Sequence, residues 1–581
     1  MRLRAGKAVL ATAAVAVVAV VAGVRFGVDG ATAKGCTGQV RLSVAVAPEI
    51  AAAVRSTTDE WIRDKAAVDG VCIAVDLRGT DPAEVAAALS ARQKVSLTGV
   101  GAPRPNTVVP DAWIPDSGTW LQRLRSAAPD FAFTDEGPVA RSPVVMAMPE
   151  PVAERLGWPD KALTYADLLR EITTSTTIRP GTVDPTRDAA ALSGLLALGA
   201  AATAADQQRP GTSNGVLRAL ATDRSALRDD LMAQLPQADD VASLAGGLGL
   251  AAMSERDVIA FNAAKPPVSL AALYLEPAPA PLDYPFAVMP ELAPAQAEAA
   301  HRLFAMLDGS ATYRDRLAAE GMRSADGSAP AGFSAPTGAP SAAKPSATSA
   351  DSGGAAADKV DGAAIDRSLA GWSAVVAPAR MLAIVDASDS MRTPVPTARD
   401  ATRMAVTLAA AKGGLALFSD DWQVGLWMFA AGRQGGGNHQ ELVPIGPLTT
   451  NRGTVAGALD EIQPGGGDAG LYRTILDGYL EVQQGWQAGR VNSVLVLTDG
   501  VTGGDQAGDL SLTDLLAQLG SVKSADRPVQ VIVVGIGDAV DRKPLDQITK
   551  ATGGGVFIAE DPAQIGAVFL EALSLRTTAP R

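Results

Sequence analysis

Met381-Leu-Ala-Ile-Val385, running into Asp386-Ala-Ser388-Asp-Ser390, is the stretch on which the fold of the C-terminal region turns. An unbroken apolar run of this length is what a strand buried on both faces requires, as in a parallel sheet covered by helices. A helix is expected next, over Arg399–Ala411. Further apolar strands are expected at Val424–Phe429, Val494–Thr498 and Val529–Val534, with helices between them and a last helix over Pro562–Leu573. This alternation predicts a Rossmann-like, doubly wound parallel sheet occupying residues 376–576. Ligands on such sheets lie at the carboxyl ends of strands, where Asp386 and Asp499 both fall.

Moving toward the N-terminus, residues 324–375 form an Ala/Ser/Pro/Gly-rich stretch without apolar periodicity, which reads as a flexible linker. Before it, residues 34–323 alternate strands and helices again. Strands are expected at Val108–Ile114, Val144–Met148, Val258–Asn262 and Leu270–Leu275, and helices at Gly118–Ala127, Tyr165–Ile172, Ala189–Ala205 and Ala295–Leu307. A two-lobed α/β binding domain is built this way, with a ligand held between lobes at helix N-termini. Residues at strand-to-helix junctions are therefore the candidate ligand-binding set: Asp116, Ser117, Arg141, Ser142, Asp184, Thr186 and Arg187. Arg187 points to an anionic or carboxylate-bearing ligand, with a structural salt bridge as the competing role.

Residues 1–33 carry Arg2, Arg4 and Lys7 ahead of the uncharged run Ala8–Val24. A cationic flank before an apolar run is threaded into a membrane with its start left inside. At 1.5 Å per residue the run covers about 25 Å, which suits either a short single-pass anchor or a long signal segment cut near Ala31-Thr32-Ala33. The anchor is the preferred reading, with the bulk of the chain extracellular; secretion is the alternative. Cys36 precedes a strand-like run, Val40–Val46, and Cys72 opens the next, Cys72–Leu77, with a helical pattern between. Such a β-α-β unit puts both cysteines at the same end of parallel strands, so a Cys36–Cys72 disulfide is expected in an oxidising compartment. Closing that loop stabilises by about 3–4 kcal/mol in the chain-entropy model.

Composition excludes several classes. Two histidines and two cysteines rule out zinc fingers and iron–sulfur clusters. A net charge of −13 repels nucleic acid. Gly211-Thr-Ser213-Asn-Gly215 has the nucleophile-elbow spacing but no strand before it, and Gly247-Leu-Gly249 lacks a strand–helix frame. His301 and His439 read as solvated surface residues. No catalytic constellation remains, and a binding protein rather than an enzyme is expected. Asp509-Leu-Ser511-Leu-Thr513 mimics the Asp386 motif, but Ser511 with Asp514 reads as a helix cap.

Two resemblances give these regions a family. Asp111-Ala-Trp-Ile-Pro-Asp-Ser117, Ala140-Arg-Ser-Pro-Val-Val-Met-Ala-Met-Pro149, Val183-Asp-Pro-Thr-Arg187, Ala260-Phe-Asn262 and Leu282-Asp-Tyr-Pro285 resemble the extracellular solute-binding domains of actinobacteria, of type II periplasmic-binding fold. In those proteins the domain is fused to a von Willebrand factor A domain. Asp386-x-Ser388-x-Ser390 resembles the metal-ion-dependent adhesion site of such domains. The resemblance implies Asp386, Ser388, Ser390 and Asp499 as ligands of Mg2+ or another divalent cation, a hard ion that takes oxygen donors. The family's threonine ligand is replaced here: Gly467-Asp468-Ala469-Gly470 offers no hydroxyl at Ala469, and Asp468 is the candidate substitute. The implied function is a membrane-anchored extracellular binding or adhesion protein that takes an unidentified solute or peptide and an unidentified protein partner. The alternative is a solute-binding receptor of an ABC-type uptake system.

Overall fold

A computed structural model describes residues 36–342, except 106, 175–177 and 207–211, and residues 361–561, except 419, 431–438, 466–469, 501–509 and 538–539, with residues 565, 568 and 572 beyond. The expected N-terminal membrane segment, Asp468 and Ala469 lie outside them.

The first region is two-lobed. One lobe is built on a six-stranded sheet in the order Ala67–Val68, Val71–Gly79, Gln39–Val46, Ala112–Ile114, Pro285–Val288, Thr134–Pro138. Its central pairings, Gln39–Val46 against Val71–Gly79 and against Ala112–Ile114, are parallel. The register sets Gln39 opposite Cys72, which brings Cys36 into reach, and the disulfide Cys36–Cys72 is formed with its Cα atoms 5.0 Å apart. The second lobe carries a four-stranded sheet, Leu270–Leu273, Val144–Pro149, Leu248–Ser254, Arg179–Pro180. The chain passes between lobes at Pro138–Val144 and returns at Leu273–Pro285, so both crossings lie on one side.

The helix Ala189–Asp206 is almost wholly apolar, and its Leu192, Leu195 and Leu198 are buried. Among the described residues it alone is long and apolar enough to cross a membrane, but half of it is buried inside the protein. A helix inside a domain core passes the same test by composition.

The second domain has a six-stranded sheet ordered His439–Pro447, Gln423–Phe429, Ala379–Asp386, Val491–Thr498, Gln530–Ile536, Val556–Ala559. The last five run parallel and the first is an antiparallel edge. The parallel strands Ala379–Asp386 and Val491–Thr498 are buried along nearly their whole length, which is why they appear as continuous apolar runs.

Three expectations need correction. Val258–Asn262 is not a strand but part of the helix Glu255–Ala263. Its short apolar run satisfies either period, and the deciding signal is Ser254, whose side chain accepts from Asp257 N at 3.0 Å as an N-cap. His439 is not in a polar loop: it opens the edge strand and stacks on Trp427, ring centroids 4.3 Å apart.

The third concerns the linker expected over residues 324–375, which is ordered at both ends. Arg323, fully buried, holds Glu255 through Nε–Oε2 and Nη2–Oε1 contacts of 2.6 and 2.8 Å and lies over the Phe333 ring. At the other end Gly362–Val376 is a helix. Ile365 and Leu369 pack on Leu192, and Trp372 and Val375 join the main core of the first domain. The linker reading failed here because Ile365, Leu369, Trp372 and Val376 supply a helical apolar stripe beneath a poor local composition.

Candidate functional site

In the second domain the strand Ala379–Asp386 delivers Asp386 to the carboxyl edge of the sheet, and a 3-10 turn over Asp389–Arg392 follows. The turn folds the serines back over the strand end. Ser388 N donates to Asp386 Oδ1 at 3.0 Å, and the Ser388 and Ser390 hydroxyls stand 2.9 Å apart. The neighbouring strand Val491–Thr498 ends one residue before Asp499. Thr498 donates its hydroxyl to Asp386 Oδ2 at 2.6 Å, a ligation to the motif that sequence reasoning missed. Asp386, Ser388 and Asp499 are all buried. Burial pushes the Asp386 carboxyl up to about 6, against the hydrogen bonds from Ser388 and Thr498, and the Asp499 charge pushes the same way. Asp386, Ser388, Ser390 and Asp499 are thus brought together as expected from the sequence. Gly465 N donates to Ala387 O at 2.8 Å, next to the motif.

Arg403 is the unexpected member. It opens the helix Arg403–Leu417, and its Nη1 donates to Asp499 Oδ2 at 3.1 Å. Gly537, at φ +95°, leaves the room: a Cβ there would lie 3.2 Å from the guanidinium. No spacing rule links residues 403 and 499, so the pair carries no sequence signal.

The donor set fits a hard divalent cation. Two oxygens bound side by side on an octahedron with ligand distances of about 2.1 Å are separated by roughly 3 Å, the distance between the two serine hydroxyls. Asp499 Oδ1 is buried and has no hydrogen-bond partner among the described residues, so a donor or cation is owed to it. Among the described residues no group of three or more His, Cys, Asp or Glu side chains could by itself hold a metal ion; two of the four donors here are hydroxyls.

In the first domain the candidate ligand residues divide. Asp116 and Ser117 lie together between the strand Ala112–Ile114 and the helix Gly118–Ala127, which Ser117 caps through Thr119 N. Thr186 and Arg187, in the other lobe, meet the first lobe at Arg123, Val100 and Glu84. Arg123 Nη1 donates to Thr186 O at 2.8 Å across the gap, and a Cβ on Gly99 (φ +71°) would sit 2.1 Å from Thr186 Oγ1. The lobes are closed on each other here. Asp184 is occupied in a local turn, accepting from Thr186 N and Oγ1 at 2.9 and 2.8 Å. Ser142 and Arg141 lie at the crossing instead. Ser142 is bonded to Leu282 and Arg256 backbone, and Arg141 Nε donates to Ala325 O. The anionic ligand expected from Arg187 is not supported: Nη1 donates to Val100 O at 2.8 Å and Nη2 pairs with Glu84 at 3.3 Å.

The contact between the lobes holds residues the sequence did not single out. Glu49, Asp188, Asp257 and Arg228 form an ion-pair network beside Asp116. Burial first, then the charges of Glu49 and Asp188, push the Asp116 carboxyl well above the usual carboxylate range. Elsewhere, Ser511 caps the helix Leu512–Val522 with Asp514, as expected. Ser213 lies in the first turn of the helix Thr212–Thr222, and Gly249 lies inside the strand Leu248–Ser254.

A closed two-lobed domain joined to a parallel sheet with an acid- and hydroxyl-lined edge defines a two-part binding protein. Residues 42–323 match the family described as bacterial extracellular solute-binding protein, and residues 381–571 match the von Willebrand factor type A domain. The chain therefore combines a bacterial extracellular solute-binding domain with a von Willebrand factor type A domain, a pairing that supports an extracellular or periplasmic binding role. Among solved structures, the von Willebrand factor type A protein from Catenulispora acidiphila is 20% identical, with a TM-score of 0.28, over 34% of this chain and 42% of its own. The sulfate-binding protein SubI from Mycobacterium tuberculosis H37Rv is 18% identical, with a TM-score of 0.32, over 52% of this chain and 93% of its own. Proximal thread matrix protein 1 from the mussel byssus, with a zinc-occupied MIDAS motif, is 15% identical, with a TM-score of 0.26, over 34% of this chain and 48% of its own. The chain thus spans less than half the length of the Catenulispora and mussel structures. No curated protein sequence matches the chain.

Proposed function

We propose that the chain is a membrane-anchored envelope protein of binding and adhesion type, not an enzyme. Its first domain captures a small solute or peptide, and its second engages a protein partner at Asp386, Ser388, Ser390 and Asp499 in a divalent-cation-dependent manner. The observation that carries this reading is the meeting of two buried carboxylates and two hydroxyls from adjacent strand ends, with Asp499 Oδ1 left without a hydrogen bond among the described residues. A bound Mg2+ or similar cation would supply an open coordination position for a carboxylate of the partner. The chain's own residues prepare that position. Thr498 and Ser388 N fix both oxygens of Asp386, whereas Arg403 occupies one oxygen of Asp499 and competes with a cation for it. The N-terminal run Ala8–Val24 behind Arg2, Arg4 and Lys7 would hold the protein at the membrane. The test is titration calorimetry with Mn2+. The native chain is expected to bind, Asp386→Ala to lose binding, and Ala469→Thr to tighten it by restoring a hydroxyl. Silence from both the native chain and Ala469→Thr would sink the cation reading.

A further inference from the structure

The cleft floor of the first domain carries charge that the second domain's site does not explain. Arg228, in the second lobe, is held from three directions. Its Nη1 donates to Glu49 Oε1 of the first lobe at 2.8 Å, and its Nε and Nη2 reach Asp188 Oδ2 at 3.2 and 2.8 Å. Asp257 Oδ2 lies 3.3 Å from Nη1. Every nitrogen of that guanidinium is already engaged with a carboxylate.

The acceptors are not equally satisfied. Glu49 Oε2 and Asp257 Oδ2 are buried without a hydrogen bond among the described residues. The Tyr284 hydroxyl is fully buried, has no hydrogen-bond partner among the described residues, and interacts electrostatically with Glu49, Asp116, Asp257 and Arg228. Three carboxylates, Glu49, Asp188 and Asp257, face two guanidiniums, those of Arg228 and of Arg256, which pairs with Asp257 at 3.4 Å, and beside them burial holds the Asp116 carboxyl well above the usual range. A buried excess of negative charge without a counter-ion is costly, and a cation relieves it. An entering anion would meet this excess, no free nitrogen on Arg228, and a single buried donor without a hydrogen bond among the described residues, Arg256 Nε. An entering cation would meet Glu49 Oε2 and the Tyr284 hydroxyl, both without a hydrogen bond among the described residues, and Asp257 Oδ2, held only by the 3.3 Å ion pair to Arg228.

We infer that the cleft of the first domain takes an organic cation, through a guanidinium or primary ammonium group, in the seat that Arg228 occupies in the closed structure. This rests on the proposed reading of the domain as a solute receptor and fixes its ligand class. Arg228 is then a resident occupant with which the ligand competes for Glu49, Asp188 and Asp257.

The test is calorimetry on the full chain with agmatine and methylguanidinium as cationic probes, and with sulfate and citrate as anionic ones. Agmatine is expected to bind and the anions not. Arg228→Ala, which vacates the seat, is expected to bind agmatine at least tenfold more tightly than the native chain and to regain thermal stability when methylguanidinium is added. Glu49→Gln, which keeps the side chain's size, is expected to weaken agmatine binding about tenfold in the native background, and it decides the matter if Arg228→Ala does not fold. Binding of sulfate or citrate in preference to agmatine overturns the cation assignment while leaving a solute receptor. Silence from all four probes, in the native chain and Arg228→Ala alike, overturns the assignment and the receptor reading together.

Discussion

Asp283 is half-buried. Its Oδ1 accepts from Gly118 N at 2.6 Å, at the first turn of the helix Gly118–Ala127. Burial pushes its carboxyl up to about 6, against that bond and the nearby Arg141 charge. An acid raised in the native state binds more protons there than in the unfolded chain between pH 4 and 6. Stability is therefore expected to fall as pH rises through that window, by at most about 3 kcal/mol. Asp283→Asn keeps the acceptor and removes the charge. It is expected to raise the melting temperature at pH 7.5 and to change little at pH 4, as scanning calorimetry at the two pH values would show. Arg403 gives a second prediction at this scale. Its cation lies against Asp499 and opposes any second cation at that carboxylate. Arg403→Gln is expected to tighten Mn2+ binding by tenfold or more, and unchanged affinity would show that the arginine is not a competitor. Asp386 and Asp499 could be placed at one sheet edge from sequence because each follows an apolar run that marks a strand, while Ser388 and Ser390 came with the resemblance to the adhesion-site motif. Arg403, Glu49 and Arg228 could not, since the pairs they form join residues 96 and 179 positions apart. No local period encodes such a pair.

Among the elements, the helix Gly362–Val376 changes most from the sequence reading. Trp372 is completely buried, and the core it enters belongs to the first domain. Trp372→Ala is expected to cost about 3–5 kcal/mol. In urea denaturation followed by domain-specific probes, the loss should fall on the solute-binding domain; an equal loss in the second domain would place the helix elsewhere. Strands of the second domain were legible because they are buried on both faces, so their composition alone marks them. The edge strand His439–Pro447 was not, because its residues are mostly exposed or half-buried and include Glu441 and Pro444. The helix Glu255–Ala263 was misread from an apolar stretch too short to show a period.

At the scale of the whole molecule, the division into a two-lobed domain and a parallel-sheet domain follows from strand–helix alternation on either side of a low-complexity stretch. What that stretch joins did not follow from composition. Ala342 and Asp361 border it, and the helix that comes after it is packed into the first domain, so the stretch leaves that domain and returns to it. The covalent joint between the domains is Ala377-Pro378 alone. Neither residue has slack: Ala377 N is bonded to Ser373 O in the helix, and Pro378 O accepts from Val491 N at the sheet. A protease cutting within residues 343–360 is accordingly expected to yield two pieces that co-elute on gel filtration and part only in denaturant. Separation without denaturant would refute the packing of the helix. The same arrangement has a mechanical meaning. A pull on a partner gripped by the second domain would not be taken up by the spooling out of a leash. It would pass through a two-residue splice directly into Trp372 and the helix around it, so that traction at one end of the protein loads the wall of the solute-binding domain.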